Sequence, residues 1–431
     1  MANSQPSVNL QKESSRNGGL DMIRFFFQRS AVKLILFAVA LHAPQHLGLG
    51  NAQHKAILQQ SAQGQSQDSV QSLVRQGQDL IRTRQFYEAV EVLRRAIQLQ
   101  PNLAVAHVQL SLALMGIGQR DEALAATKRA IELDPNDARA YVALGNIDGS
   151  MRRYTEAIRA YKQAVGLDAN NLSAYLNLGI AYGTTARYAE SAEAFQQALR
   201  LDANNVSALN GLGIAQFRLG QREEGIQSVK QAVRLNPGFV DGYLNLARWY
   251  HGMGRYEDAA DAFTAVTKIV PKWPQVYFER TLDLFYVGKN EAAASDARTF
   301  LELTDWHSDR AQYMVIIATL GYRRAGKIGD AKDILDLAAK RSNTAAWPYP
   351  VIAYLRSELA ADALLGRAGD NNDRLTEAHG YIGMDLLLKD QKDEAVPHFR
   401  WVKERGNKNF VEYVLATLEL NRLEIGTPSK Q

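Results

Sequence analysis

A 34-residue period runs through most of the chain and constrains its fold more than any other feature. We call a series of positions spaced 34 residues apart a ladder. One ladder holds proline or alanine, at Pro101, Pro135, Ala169, Ala203, Pro237 and Pro271. Two further ladders in the same register hold mostly small residues, at Ala89, Ala123, Ala157, Ser191, Gly225, Ala259 and Ala293, and at Gly77, Ser111, Gly145, Gly179, Gly213, Ala247 and Thr281. Such a period is typical of stacked supersecondary repeats rather than of separate globular domains.

The residues within one repeat predict a pair of helices. Tyr175, Leu178 and Tyr182 recur at three- and four-residue spacing, which places them on one face of a helix. Phe195 and Ala198 form the apolar stripe of a second helix in the same repeat. Small residues in the ladders allow the paired helices to pack closely. A single pair cannot bury its own apolar face, so the pairs must stack.

Glycine and proline mark the ends of the predicted helices. A left-handed C-terminal cap is expected after the first helix where glycine recurs at one repeat position, at Gly118, Gly220, Gly254, Gly288 and Gly326. Proline ends the second helix in several repeats, because it lacks an amide donor and its ring clashes with the preceding turn.

The repeat, with Leu-Gly early, small residues in the middle and proline at the end, resembles the tetratricopeptide repeat. The resemblance implies an all-α fold, a right-handed superhelical solenoid of antiparallel helix pairs with a concave groove. We place seven repeats in residues 70–307, the last one degenerate, an eighth in 308–345 and a ninth in 376–409. Residues 346–375 are expected to form an atypical helical unit, and residues 410–431 a capping helix and tail.

The N-terminal segment has the pattern of an export signal. Arg29 and Lys33 precede an apolar run at residues 34–41, and small residues follow near Ala52, which makes residues 1–52 resemble a secretory signal peptide. The run is too short to span a bilayer, which takes about 20 apolar residues. Translation from Met22 would give a signal of ordinary length. The alternative is an N-terminus that stays in the cytoplasm. Residues 53–69 are rich in Gln and Ser and predict a linker.

Charge and composition exclude several function classes. Residues 1–69 carry +3 of the formal net charge of +4, so the body of the protein is nearly neutral and binding to nucleic acid is not expected. The chain has no cysteine, which rules out disulfides, thiolate metal sites and a lipid anchor on cysteine.

The C-terminal region resembles the NlpI-type bacterial envelope lipoproteins over about the last 75 to 85 residues. The resemblance rests on Trp347, Tyr354, Leu355, Leu364, Asp370, Asn371, Glu377, Tyr381, Gly383, Asn409, Phe410, Val411, Glu412, Glu419 and Leu420. It implies an envelope adaptor that forms homodimers and brings a protease to peptidoglycan hydrolases. The missing cysteine and the longer repeat array depart from that family.

No catalytic motif is present in the sequence, since HExxH, GxSxG, P-loop and GxGxxG patterns are all missing. The histidines show no metal-ligand spacing, and His107 and His379 fall where other repeats have a packing tyrosine. We therefore expect no enzyme activity, no metal and no cofactor.

Function is expected in the groove lined by the first helices. Polar side chains predicted to point into it are Asn146, Asn177, Asn210, Asn245 and Arg248. Asparagine both donates to and accepts from the amides of an extended peptide. The sequence thus predicts a periplasmic or secreted, non-catalytic scaffold that binds partner proteins or extended peptides. The alternatives are a cytoplasmic co-chaperone-like adaptor and a regulatory subunit of an envelope assembly or peptidoglycan-processing complex.

Overall fold

The structure is a computed structural model that describes residues 70–425, and over this range the chain forms 21 α-helices and no β-strand. The helices divide between two compact units, which we call the N-terminal unit (residues 70–236) and the C-terminal unit (residues 237–425). The expected all-α helical-repeat fold is confirmed. The predicted signal segment and linker lie outside the described residues.

The N-terminal unit contains five helix pairs, whose first helices begin every 34 residues. Its helices are α1 (Val70–Arg82), α2 (Phe86–Leu99), α3 (Ala104–Gly116), α4 (Arg120–Leu133), α5 (Ala138–Ser150), α6 (Tyr154–Leu167), α7 (Leu172–Thr184), α8 (Tyr188–Leu201), α9 (Val206–Arg218) and α10 (Arg222–Leu235). Each first helix packs against its own second helix and against the first helix of the next pair. The odd-numbered helices therefore form one continuous layer, whose surface we call the inner face.

The C-terminal unit begins with regular pairs and then departs from them. Its helices are α11 (Val240–Gly252), α12 (Tyr256–Ile269), α13 (Pro274–Tyr286), α14 (Asn290–Leu303), α15 (Ala311–Arg324), α16 (Ile328–Arg341), α17 (Tyr349–Leu355), α18 (Ala361–Ala368), α19 (Asn372–Leu388), α20 (Lys392–Arg405) and α21 (Val411–Ile425). The short helices α17 and α18 lie in the segment for which the sequence predicts an atypical unit.

Small residues set the spacing within the pairs. A β-carbon added at Gly145 would lie 2.4 Å from the ring of Tyr161, and one added at Gly179 would lie 2.9 Å from the ring of Phe195. In the second pair, the hydroxyls of Ser111 and Thr127 face each other at 2.5 Å. The paired helices therefore approach as closely as their side chains allow.

Asparagine and aspartate start several first helices. Asp137, Asn171 and Asn205 each accept a backbone amide hydrogen bond in the first turn of the helix that follows, and Asn371 does the same at α19. These side chains satisfy amides that have no partner within the helix. Acidic residues also lie in the first turns of α4 and α10, as the helix dipole favours.

The turn between paired helices has a left-handed residue at one repeat position. The predicted glycine caps are confirmed, with φ between 73° and 86° at Gly118, Gly220, Gly254, Gly288 and Gly326. Arg84, Arg152 and Ala186 adopt the same conformation at equivalent positions, with φ between 59° and 62°. A side chain with a β-carbon is strained there.

The C-terminal helix packs on more than the last repeat. We expected α21 to cover the last repeat, and it does pack on α19 and α20. It also contacts α13, where the Arg422 guanidinium donates to the backbone carbonyl of Tyr286 at 2.8 Å, 136 residues away along the chain. One face of α21 is therefore buried against helices of much earlier repeats.

Between residues 70 and 425, no helix is both long enough and apolar enough to cross a bilayer.

The left-handed turn gives a direct test of this fold. Ala186→Gly should raise the free energy of unfolding by about 1 kcal/mol, because glycine removes the β-carbon strain at φ 59°. The reciprocal variant Gly220→Ala should lower it by about 1 kcal/mol, since no atom lies near enough to clash and only strain is added. Urea unfolding measures both free energies. A change of the same sign in the two variants would contradict the turn geometry.

Candidate ligand-binding surface

Two of the predicted groove residues form a hydrogen-bonded pair on the inner face of the N-terminal unit. The Asn177 side chain on α7 donates through Nδ2 to Oδ1 of Asn146 on α5, at 2.9 Å. Both residues are half-buried. The structure therefore brings together amides that are 31 residues apart in the sequence.

Tyr161 orients this amide pair from the second helix of its own repeat. Its hydroxyl donates to Oδ1 of Asn146 at 2.8 Å. Burial raises the pKa of Tyr161, so the hydroxyl keeps its proton and remains a donor. Because Oδ1 of Asn146 accepts two hydrogen bonds, the direction of its amide is fixed.

The outward groups of the pair are suited to a polypeptide backbone. Within residues 70–425, neither Nδ2 of Asn146 nor Oδ1 of Asn177 has a hydrogen-bond partner. One group donates and the other accepts, which matches the carbonyl and amide of an extended segment. The pair thus presents a small polar site with defined polarity.

Half-buried aliphatic side chains surround the amide pair. Val142 lies one turn before Asn146 on α5, and Ile180 lies one turn after Asn177 on α7. Leu112, one repeat earlier, and Ile214, two repeats later, occupy the same repeat position as Asn146, and both are half-buried. The inner face therefore offers apolar contacts around a polar centre, the composition typical of ligand sites.

The other predicted residues do not join this surface. Asn210 on α9 is only 2% exposed, so it is not available to a ligand. Asn245 and Arg248 lie on α11 in the C-terminal unit, where both are half-buried. The Arg248 guanidinium donates to Glu279 at 3.4 Å, and Gln275 donates to the other oxygen of that carboxylate at 2.9 Å. The charge of Arg248 is thus offset within the protein.

Two shallow concavities have lining residues whose charged groups are already engaged within the protein. One, of about 450 Å³, includes Arg94, Glu122 and Arg129 among its lining residues. Arg94 and Glu122 pair at 2.7 Å, which neutralises them. The other, of about 330 Å³, lies beside Gln275 and Arg310. Arg310 donates to Gln275 at 3.1 Å and stacks over the Phe278 ring at 4.3 Å, so its head group is also engaged.

The C-terminal unit contains buried acids that sequence reasoning missed. Glu377 on α19 and Glu412 on α21 are 4% and 3% exposed. Burial, with the nearby charge of Glu412, raises the pKa of Glu377 to about 8, and burial also raises the pKa of Glu412. The available sequence signal was at Glu412 and Glu419, which lie seven residues apart within an apolar helical pattern.

His107 packs as the sequence predicts, and His379 packs beside a second histidine. His107 is 9% exposed and its Nε2 donates to the Pro101 carbonyl at 2.9 Å. His379 lies with its Nδ1 at 2.8 Å from Nδ1 of His398, and Trp401 stacks on its ring. In the part of the chain that the structure describes, no group of three or more histidine or acidic side chains is placed to hold a metal ion.

Comparison with protein-family models assigns the repeats. Tetratricopeptide repeat models match residues 80–147, 152–185, 176–238 and 210–274. These stretches are tetratricopeptide repeats.

Several solved structures are similar to part of this chain. YrrB, described as a tetratricopeptide repeat protein with an unusual peptide-binding site, is 24% identical over 43% of this chain and 95% of its own, with a TM-score of 0.37. MamA is 24% identical over 37% of this chain and 93% of its own, with a TM-score of 0.34. PilF of Pseudomonas aeruginosa is 19% identical over 49% of this chain and 94% of its own, with a TM-score of 0.44.

The contact between Tyr161 and the amide pair can be tested by a double-mutant cycle. Tyr161→Phe and Asn146→Ala should each lower the free energy of unfolding, and the coupling between them should be about 1 kcal/mol, the net value of one hydrogen bond. Urea unfolding of the two single variants and the double variant gives this value. Strictly additive effects would show that the hydroxyl does not hold Asn146.

Proposed function

We propose that this protein is a non-catalytic scaffold that binds an extended segment of a partner protein on the inner face of its N-terminal unit. The observation that carries the proposal is the oriented amide pair Asn146 and Asn177, with one donor and one acceptor left for a ligand. The tetratricopeptide repeats matched between residues 80 and 274 support a role in protein interaction.

The inner face favours a ligand that is recognised mainly through its backbone. Main-chain hydrogen bonds give affinity that depends little on the ligand's side chains, while the aliphatic row around Ile180 adds apolar contacts. The one charged side chain among the predicted groove residues, Arg248, is paired with Glu279 in the C-terminal unit. We therefore propose an extended, largely uncharged segment as the ligand.

We also propose that the protein is exported to the bacterial envelope. This part of the proposal rests on the basic and apolar pattern of residues 1–52, which are outside the described range, and on the resemblance of the C-terminal region to NlpI-type lipoproteins. Cell fractionation with N-terminal sequencing tests it. Cleavage near Ala52 in the exported fraction is the expected result, and an intact cytoplasmic chain would favour the co-chaperone-like alternative.

Partner binding can be mapped by photocrosslinking in cells. A photoreactive residue at position 180, on the inner face, should yield adducts with extended segments of one or a few proteins, identified by mass spectrometry. The same residue at position 163, an exposed site on α6, is the matched control and should give few. Adducts to a catalytic partner would support the regulatory-subunit alternative.

The amide pair itself should control capture. Asn146→Ala combined with Asn177→Ala should reduce affinity for the segment found by crosslinking by at least roughly tenfold, because two hydrogen bonds of about 1 kcal/mol each are lost. Gln163→Ala removes an exposed amide from α6 and should leave affinity unchanged. Unchanged binding by a folded double variant, measured by calorimetry, would count against the proposal.

A further inference from the structure

The buried face of the C-terminal helix has an unusual composition. Glu412, Leu415, Ala416, Glu419 and Leu420 follow a three- and four-residue spacing, so they share one side of α21. All five are at most 6% exposed. A helix that packs through one face normally uses apolar residues there. Two carboxyl groups in this face are therefore unexpected.

This face of α21 covers first helices of the C-terminal unit. Arg422 donates to the carbonyl of Tyr286 at the end of α13, and Glu419 pairs with Arg324 at the end of α15 at 2.9 Å. On α19, the Tyr381 hydroxyl donates to Glu412. Gly380 lies against the Glu412 side chain, where an added β-carbon would be 2.8 Å away.

The two unit surfaces consequently differ. In the N-terminal unit, Asn146 and Asn177 on first helices are half-buried. In the C-terminal unit, Tyr286 and Tyr381 on first helices are only 5% and 1% exposed. The contacts of α21 with α13, α15 and α19 show that a segment of the same chain covers these first helices, whose covered surface we call the inner face of the C-terminal unit.

The two carboxyl groups on α21 are held in different ways. Glu419 has two cationic partners, Arg324 at 2.9 Å and Arg422 at 2.8 Å. Glu412 has none within the described residues, and it lies close enough to the equally buried Glu377 for their charges to interact. A buried carboxylate without a counter-ion is costly, and two neighbouring ones are more so.

The groups facing this acid pair come from α13, α15 and α19 and from the segment that precedes α17. Glu377 accepts from Trp347 Nε1 at 2.5 Å and from the Tyr313 hydroxyl on α15 at 3.1 Å. Asp373, one turn earlier on α19, adds negative charge. Glu412 accepts a hydrogen bond from the Tyr381 hydroxyl. The pKa of Tyr286 on α13 is raised by burial and also by the negative charge of Glu412. The Arg374 guanidinium lies over the ring of Trp347, the side chain that donates to Glu377, with its carbon 5.6 Å from the ring centroid.

We propose that α21 is a pH-responsive cover over the inner face of the C-terminal unit, closed while Glu377 and Glu412 share at least one proton and released when both are ionised. Release would carry Glu412 into water and leave Glu377 beside solvent, which removes the like-charge repulsion in a low-dielectric site. The raised pKa of Glu377, about 8, places the transition above neutral pH.

The sign of the effect follows from proton linkage. Glu377 has a pKa of about 8 in the folded chain against an ordinary value of 4.5, so the closed form binds the proton more tightly. The stabilisation from protonation is therefore complete at low pH and is lost as the pH rises from about 4.5 through about 8. The closed form of α21 should therefore become less stable at alkaline pH, not at acid pH.

Hydrogen exchange of the full chain at pH 7 and pH 9.5 tests this proposal, after correction for the intrinsic exchange rate. Protection of the α21 amides should fall by roughly tenfold or more, because one proton is released on opening. Amides of α3, α5 and α7 in the N-terminal unit serve as the internal reference and should keep their protection. Equal protection of α21 at the two pH values, or a uniform loss across the chain, would overturn the proposal.

Variants that replace glutamate by glutamine distinguish the effect of the acid pair, Glu377 and Glu412, from the effect of the ion pairs of Glu419. Glu377→Gln combined with Glu412→Gln should keep α21 protected at both pH values, since neither side chain can ionise. Glu419→Gln is the matched control: it removes a paired carboxylate, so it should lower protection by the same factor at pH 7 and pH 9.5. A pH-dependent loss in the double variant equal to that of the unaltered chain would also overturn the proposal.

Discussion

The close contact between a small residue on one helix and a larger residue on its partner determines the geometry of the array. We call the point where the two helices of a pair make this contact the crossing. The contacting residues there are Gly77 and Leu93, Gly145 and Tyr161, Gly179 and Phe195, and Gly383 and Phe399. In each case a β-carbon added to the glycine would lie within 3.0 Å of the partner side chain. Interiors are packed too densely to absorb an extra methyl group without strain. Because the same crossing recurs at one repeat position, successive pairs present equivalent surfaces that can stack. The inner face of first helices is a consequence of this stacking.

The same crossing connects the core of a repeat to its surface. Tyr161 fills the position that Phe195 fills in the next repeat, and its ring packs against Gly145 in the same way. Its hydroxyl then reaches Asn146, the residue next to that glycine. One oxygen atom on a core residue thus fixes the direction of a surface amide. A binding group held by a packed core is better ordered than one on a loop.

Much of the fold could be predicted from the sequence, because the repeat ladders record local packing. The helix pairs, the glycine caps and the small residues at the crossing all depend on residues within about one repeat of each other. The candidate surface was predictable only in part. Asn146 and Asn177 were recognised as inner-face residues, but Asn210 is buried, and Arg248 is neutralised by Glu279 on a different repeat. Those outcomes depend on side-chain contacts between repeats, which a one-dimensional ladder does not encode.

The fold-back of α21 was beyond prediction for a related physical reason. Its closing contact joins Arg422 to Tyr286 across 136 residues, and no periodic signal links such distant segments. In the sequence, Glu412 and Glu419 interrupt an apolar stripe, a pattern that is typical of a helix with both polar and apolar residues on one face. Only the structure shows that both glutamates are buried. Once buried, the two glutamates contribute differently. The ion pairs of Glu419 fix where α21 lies, whereas Glu412 and Glu377 make the stability of that position depend on protons. A helix held by ion pairs alone would not respond to mild alkali in this way, and one held by apolar residues alone would not respond to pH at all. The combination gives the C-terminal unit a specific closed form whose stability is adjustable.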